Sequence, residues 1–180
     1  NDLMRKVLEE IKNKRIAAYK RPHSDKAEKL LEVTTKNKEA YSELQVKQEL
    51  SAFFYECPPT LNDLINLVSR VYLPVCPVDK IKKLKADYNG EIYVWTPSIL
   101  KDNEIDSVIN KLKIIDDYFD GIAFGNLGSY MALKMAFPEK AFCADFSMNL
   151  FNSQALILQK EYGAGTGVIS PELTLNEVKS

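Results

Sequence analysis

Short apolar runs that alternate with amphipathic stretches constrain the fold of this chain more than any other feature. From about Glu49 onward, six runs rich in apolar, β-branched or aromatic residues are each bounded by Pro, Gly, Asn or Asp. They cover residues 50–57, 71–76, 92–96, 121–125, 141–146 and 167–170. Near-continuous apolar runs of this length are typical of strands in a parallel sheet that is covered on both faces. The sequence therefore predicts a parallel sheet.

Stretches with helical periodicity separate these runs. They cover residues 62–70, 79–88, 103–118, 129–136 and 152–162, and a last one begins at Leu175. Each places apolar side chains three and four positions apart, as a helix that packs one face against a sheet does. We therefore predict a βα unit at every step, with right-handed crossovers.

The length of the repeat points to a barrel. Six strands in about 125 residues give roughly 20–30 residues per unit, which is near the repeat of a (β/α)8 barrel. A full barrel needs eight strands, so the sequence predicts an α/β fold in which residues 47–180 form a partial, TIM-barrel-like (β/α)8 domain. An open doubly wound sheet is the alternative, because periodicity alone does not separate the two.

The first 46 residues have a different texture. Residues 2–19 place apolar side chains on one face and Lys, Arg and Glu on the other, which predicts a helix that Pro22 ends. Residues 23–46 are polar and charged, apart from a short apolar cluster at residues 30–33. We predict a linker there, with room for one helix, and a domain boundary between residues 46 and 47.

Composition excludes several classes of function. The net charge is −1, so no global field attracts nucleic acid or an anionic membrane. No apolar run is long enough to cross a bilayer, and no secretory signal opens the chain. The three cysteines are widely spaced and odd in number, which suggests reduced thiols and no disulfide framework. These observations predict a cytoplasmic protein without a membrane partner.

A single histidine restricts the chemistry. His23 lies in the predicted linker, so a Ser-His-Asp or Cys-His arrangement within the βα domain is excluded. The HExxH, Walker and GxGxxG motifs are absent, as is any His-based zinc set. Carboxylates, hydroxyls and amides remain as candidate catalytic groups.

In either fold, functional residues collect where the strands end at their carboxyl side. The segment Gly125-Asn126-Leu127-Gly128 follows the fourth run and opens a helix, whose free amides could hold a phosphate or a carboxylate. The alternative is a tight strand-to-helix turn with packing glycines.

The densest polar cluster follows the fifth run. Asp145, Ser147 and Asn149 alternate, so on an extended strand they would share one face and present a carboxylate, a hydroxyl and an amide together. Asn152 or Ser153 would then cap the next helix. The alternative is that all five are turn and cap residues that bond their own backbone.

Two further candidates follow other strands. Glu172 could reach a central site as an acid, a base or a cation ligand, or it could belong to the first turn of the final helix. Cys57 and Cys76 each end a strand, so adjacent parallel strands would bring them together as half of a metal or cluster site. The favoured alternative is that both are buried small apolar side chains, as we predict for Cys143.

Three segments carry a resemblance to a known family. They read FDGIAFGNLGSYMALK, ADFSMNLFNSQALILQKEYG and VISPELTLNEVK, and they begin at Phe119, Ala144 and Val168. In this order and spacing they resemble the peptidase U32 family of collagenase-like peptidases. Residues 71–75 and 91–100 match preceding family strands more loosely. Residues 1–21 are similar to the helix that precedes the second, barrel-like half of long U32 proteins.

The resemblance implies a cytoplasmic bacterial protein with a barrel-like fold, which is part of the C-terminal half of a long U32 protein. The remainder of that parent chain would be its partner. The implied reaction is hydrolysis of peptide bonds, with Asp145 and Glu172 as candidate catalytic residues. The matched positions that would line the site are Gly125, Asn126, Gly128, Ser147, Asn149, Asn152, Ser153 and Ser170.

Other family members resemble hydroxylation factors for RNA bases or quinone precursors that use an iron–sulphur cluster. Their cluster cysteines lie beyond the SPEL segment, and the three cysteines of this chain match none of them. We therefore expect no cofactor in this chain, although an iron–sulphur cluster or a divalent metal could be bound by the parent protein. Two alternatives to a peptidase follow, namely the scaffold half of an RNA hydroxylation factor and a noncatalytic interaction domain.

A partial barrel also has two exposed sheet edges, which must be paired or covered. We therefore predict a homodimer, or an edge covered by the N-terminal helix. We expect the isolated chain to be inactive, with peptide or RNA as the substrate of the parent protein.

Overall fold

The computed structural model describes residues 2–19, 49–64 and 66–179. The chain divides into two compact units, residues 1–46 and 47–180. Helix α1 spans Asp2–Tyr19 in the first unit, as its apolar periodicity predicts. The predicted linker at residues 23–46, which includes His23, lies outside the described residues. No helix in the described ranges is long and apolar enough to cross a membrane.

One parallel sheet organises the second unit. Its described strands are β1 (Ser51–Phe53), β2 (Arg70–Leu73), β3 (Glu91–Trp95), β4 (Gly121–Phe124), β5 (Ala141–Ala144) and β6 (Thr166–Gly167). They lie in sequence order, and every neighbouring pair is parallel. A parallel bridge between Leu150 and Ile169 continues the pairing beyond β5 and β6.

The strand order decides between the two predicted folds. A doubly wound sheet reverses its order at a switch point and so places helices on both faces. The order β1-β2-β3-β4-β5-β6 contains no reversal among the described strands. Each right-handed crossover then steps to the next strand in the same direction, so all the helices pack on the same face of the sheet. The sheet curls into a half-barrel, so the barrel prediction is confirmed.

The helices alternate with the strands. They are α2 (Val78–Asp87), α3 (Asp102–Ile114), α4 (Leu127–Ala136), α5 (Ser153–Tyr162) and α6 (Leu175–Lys179). Each lies where helical periodicity predicts it. Short 3-10 turns cover Asn62–Leu64, Asp116–Tyr118 and Phe146–Met148.

The connection between β1 and β2 contradicts the prediction of a helix at residues 62–70. Among the described residues of this segment, only the 3-10 turn Asn62–Leu64 forms, and Arg70 already belongs to β2. Leu67 is 65 % exposed, so it does not contribute to a buried helical face. Nine residues are also too few for a helix without such packing.

Successive side chains along each strand point to opposite faces of the sheet, and so they form two separate cores. One set of side chains, which includes Val71, Ile92 and Ile122, packs with helix residues such as Ile81 and Leu133. The other set contains Tyr72, Tyr93, Ala123 and Cys143, with Trp95 at its border, and all of its members are strand residues. This second set faces away from the helices and lines the inner, concave face of the half-barrel.

Candidate functional site

The carboxyl ends of the strands meet at one edge of the half-barrel, which we call the rim. The residues that follow each strand lie there, because parallel strands end on the same side. The rim is formed by residues 54–57, 74–76, 96–98, 125–126 and 145–149, together with Ser170.

Asp145 and Ser147 form a hydrogen-bonded pair on the rim. The Asp145 carboxylate accepts a bond from the Phe146 amide through Oδ1 at 2.6 Å, and from the Ser147 hydroxyl through Oδ2 at 3.1 Å. Strand β5 ends at Ala144, so the two residues do not share a face of an extended strand. They meet because Asp145 caps the 3-10 turn that contains Ser147. Asn149 ends that turn in the left-handed region, with φ at 50°.

The connection from β4 to α4 approaches this pair closely. A Cβ placed on Gly125 would lie 2.5 Å from the Ser98 Cβ and 2.9 Å from the Ser147 Oγ. Glycine at this position therefore lets the ends of three strands converge. The Asn126 side chain adds a link, because its Nδ2 donates to the Ser98 carbonyl at 2.8 Å. We call Ser98, Gly125, Asn126, Asp145 and Ser147 the rim cluster.

Asn126 also caps α4. Its Oδ1 accepts a bond from the Ser129 amide at 2.8 Å, so one of the amides that were predicted to hold an anion is already paired. A Cβ on Gly128 would approach only the Asn126 Oδ1, at 3.4 Å, and Gly128 contributes nothing to the rim cluster. The geometry here is that of a capped strand-to-helix turn.

Four other predicted site residues lie apart from the rim cluster. Asn152 caps α5 by accepting from the Ala155 amide at 2.9 Å, and Ser153 is the first residue of that helix. Ser170 is buried, and its Oγ accepts from the Glu172 amide at 3.4 Å. Glu172 is exposed in a turn before α6. Among the described residues, no hydrogen bond or ion pair joins its carboxylate to Asp145.

Aromatic side chains cover the concave face near β1. The Phe53 ring stacks on Trp95 at 5.7 Å and on Tyr72 at 5.9 Å, and Tyr55 meets its edge at 5.2 Å. Phe53 and Tyr55 are exposed. We call Phe53, Tyr55 and Trp95 the aromatic surface. The sequence analysis did not predict this surface, although aromatic residues two positions apart, at Phe53 and Tyr55 and at Tyr93 and Trp95, are its signal in the sequence.

A half-buried arginine, Arg70, lies at the amino-terminal end of the concave face. The Arg70 guanidinium donates to the Glu91 carboxylate at 2.7 Å and to the Tyr72 hydroxyl at 3.4 Å, and it lies 4.3 Å from the centre of the Tyr93 ring. Burial, and to a smaller extent the Cys143 thiol, raise the pKa of Tyr72. Burial also raises the pKa of Tyr93. Both phenols therefore stay neutral below about pH 10.

Cys57 and Cys76 are joined by a disulfide, with their Cα atoms 5.7 Å apart. The predictions of reduced thiols and of half a metal site are therefore both wrong for this pair. Phe53 pairs with Tyr72 in the β1–β2 register, and each cysteine follows its paired residue by four positions, which brings the two level. Within the described residues, no group of three or more His, Cys, Asp or Glu side chains could hold a metal. Cys143 is a free, buried core residue, as predicted.

A family model described as peptidase family U32 matches residues 76–180, which is more than half of the chain. The match contains the whole rim cluster and the strands β3–β6, whereas β1, β2 and Cys57 precede it. No curated protein matches the chain.

Proposed function

The chain belongs to peptidase family U32, and we propose on that premise that it supplies catalytic groups to a hydrolase that acts on peptide bonds. The observation that carries this proposal is the Asp145–Ser147 pair, which lies on the rim where barrel enzymes place their catalytic residues. The rim cluster lies entirely within the matched residues.

Asp145 would act as the general base. A carboxylate that accepts one bond on each oxygen keeps free lone pairs, so it can take a proton from a water that attacks the peptide carbonyl. The Ser147 hydroxyl holds Oδ2 in place, and the Phe146 amide holds Oδ1. Glu172 stays a predicted second carboxylate, exposed in the turn before α6 and without a bond to the rim cluster among the described residues.

The aromatic surface would hold apolar side chains of the peptide. Trp95 in β3 pairs in register with Ala123 in β4, and Ala123 pairs with Cys143 in β5. Asp145 follows Cys143 by two positions, so it lies nearer the rim and two strands away from Trp95. A concave surface with apolar and aromatic walls and a few polar groups is typical of binding sites for peptides and small organic ligands.

We further propose a cytoplasmic bacterial protein whose partner is the remainder of a longer U32 chain. The test is therefore made with the full product of its gene, alongside the 180-residue chain. We expect the full product to cleave gelatin or a peptide library, with divalent metals added in turn. If it cleaves no peptide under any metal supplementation, the peptidase proposal fails.

The aromatic surface also favours a second function, the scaffold half of an RNA hydroxylation factor. Nucleobases stack on exposed aromatic rings without regard to sequence, and Phe53 and Tyr55 are exposed. The described residues hold no set of ligands that would fit an iron–sulphur cluster, so other parts of the protein would have to bind it. Wild-type levels of RNA hydroxylation in a strain that lacks the gene would exclude this function.

A further inference from the structure

We propose that the Cys57–Cys76 disulfide is a reversible redox latch, which low-molecular-weight thiols open and the corresponding disulfides close. The inference is independent of the proposed peptide hydrolysis. It rests on the position of the two cysteines, on their unequal exposure, and on the hydrogen bond that links the neighbouring segment to Trp95.

The latch joins two connections on the rim. Cys57 lies in the connection from β1 to β2, and Cys76 lies between β2 and α2. The described residues of the β1–β2 connection contain one 3-10 turn, where the other parallel connections up to β6 contain helices. Buried Leu61 and half-buried Phe54 and Val68 hold this connection to the core, and the disulfide is its one covalent tie among the described residues. We therefore expect that opening the disulfide loosens this connection first.

The two sulphur atoms differ in access. Cys57 is half-buried, whereas Cys76 is only 3 % exposed. An external thiolate therefore reaches the Sγ of Cys57, and Cys76 becomes the leaving group. Cys76 lies two residues before Val78, the first residue of the ten-residue helix α2, whose amino end has no side-chain cap. The positive end of a helix favours a nearby anion, and Asp79 in the first turn offsets this in part. A stabilised leaving thiolate speeds thiol–disulfide exchange.

Reduction of the Cys57–Cys76 disulfide by thiols takes two steps. A thiolate RS⁻ attacks the Cys57 Sγ, the S–S bond breaks, and Cys76 leaves as a thiolate. A second RS⁻ attacks the outer sulphur of the mixed disulfide and releases RSSR and the Cys57 thiolate. Two thiols are oxidised and the protein disulfide is reduced by two electrons. The reverse reaction with RSSR closes the latch.

Trp95 reports the state of the latch. Its Nε1 donates to the Phe54 carbonyl at 2.8 Å, three residues before Cys57, and its ring stacks on Phe53 at 5.7 Å. It is the one tryptophan of the sequence. Opening the latch therefore changes the surroundings of Trp95 and of the whole aromatic surface, whereas the rim cluster has no bond to either cysteine.

The test is a redox titration of the full 180-residue chain with reduced and oxidised glutathione. Alkylation in denaturant followed by mass spectrometry counts the free thiols at each ratio, and fluorescence of the folded protein follows Trp95. We expect one alkylated cysteine, Cys143, under oxidising conditions and three under reducing ones. The Trp95 emission should change over the same glutathione ratios as the number of free thiols. It should return to its original value when the protein is reoxidised. Cys143→Ser should keep this response, whereas Cys57→Ser and Cys76→Ser should abolish it.

Three results would overturn the latch. Three alkylated cysteines under oxidising conditions would show that the bond does not form. A bond that resists excess reduced glutathione in the folded protein would be a permanent structural disulfide, not a reversible one. Reduction without a change in Trp95 emission would show that the disulfide does not affect the structure of the aromatic surface. The wild-type titration suffices for all three, so the outcome does not depend on any variant folding.

Discussion

At the scale of single residues, the concave face depends on a polar network within an aromatic layer. The Tyr72 hydroxyl lies 3.4 Å from Arg70 and 3.5 Å from the Cys143 sulphur, while its ring packs with Phe53 and Tyr93. Arg70 in turn pairs with Glu91. The Arg70 charge is stabilised beside these aromatic rings because each of its three guanidinium nitrogens has a partner, Glu91 or the Tyr72 hydroxyl.

Tyr72 should make the stability of the protein fall in alkaline solution. Its folded pKa is raised, chiefly by burial, so its contribution is complete below the unfolded pKa of about 10 and is lost as the pH rises above it. Tyr72→Phe should flatten this decline. Free energies of unfolding in urea at about pH 8 and about pH 11 measure the slope. Equal slopes in Tyr72→Phe and the wild type would contradict the assignment of the decline to Tyr72.

Gly125 should tolerate no side chain. The Cβ of Gly125→Ala would lie 2.7 Å from the Ser98 Cα and 2.9 Å from the Ser147 Oγ, so the rim must shift at a cost of about 1–3 kcal/mol. Gly128→Ala is the matched control, because its Cβ meets only Asn126 at 3.4 Å and alanine favours a helix. Urea denaturation should show a lower midpoint for Gly125→Ala alone, and equal midpoints would count against the close approach.

At the scale of elements, the first connection is the least regular part of the sheet, and the disulfide compensates for its missing helix. The cysteines are 19 positions apart in sequence. A bond that closes a loop of this size stabilises a protein by about 3 kcal/mol, mainly by restricting the unfolded chain.

Removing the disulfide should lower the free energy of unfolding by about 3 kcal/mol. We expect this difference between the oxidised and reduced wild type in urea denaturation. The double variant Cys57→Ser/Cys76→Ser should match the reduced protein and should not respond to reductant. A wild type of equal stability in both states would contradict a closed bond between these residues.

The sequence predicts most elements but not how the rim is built. Apolar runs and helical periodicity place every described strand and helix except the segment at residues 62–70. Predicted strands run too far at their carboxyl ends, because apolar rim residues such as Phe54 and Phe146 look like strand continuations. The Asp145–Ser147 contact depends on a 3-10 turn, and the Cys57–Cys76 bond depends on the β1–β2 register. Neither is visible in local periodicity.

At the scale of the whole βα unit, the unbroken strand order produces one helix-covered face and one concave face. By alternation along β3 and β5, Trp95 and Asp145 lie on the same face as Tyr93 and Cys143, which line the concave face. The unit also leaves two strands, β1 and β6, that pair on one side only among the described residues.

We predict that the chain forms a dimer through the free edge of β1. The Phe54 amide donates to Tyr72, so by alternation the Ser51 amide points to the free edge. Ser51→Pro removes that donor without breaking the β1–β2 ladder and should raise the dissociation constant in analytical ultracentrifugation. Ser51→Ala should leave it unchanged. A wild-type chain that is monomeric at every concentration would contradict the dimer.

We propose Asp145 as the base of a peptide hydrolase, and the decisive measurement is the kcat of Asp145→Asn in the full gene product. The amide cannot accept the proton, so kcat should fall by about 10²–10⁴-fold. Asp106→Asn, on the exposed surface of α3, should keep the wild-type rate, and both variants should unfold at the same urea concentration as the wild type. A wild-type kcat in stably folded Asp145→Asn would contradict the claim.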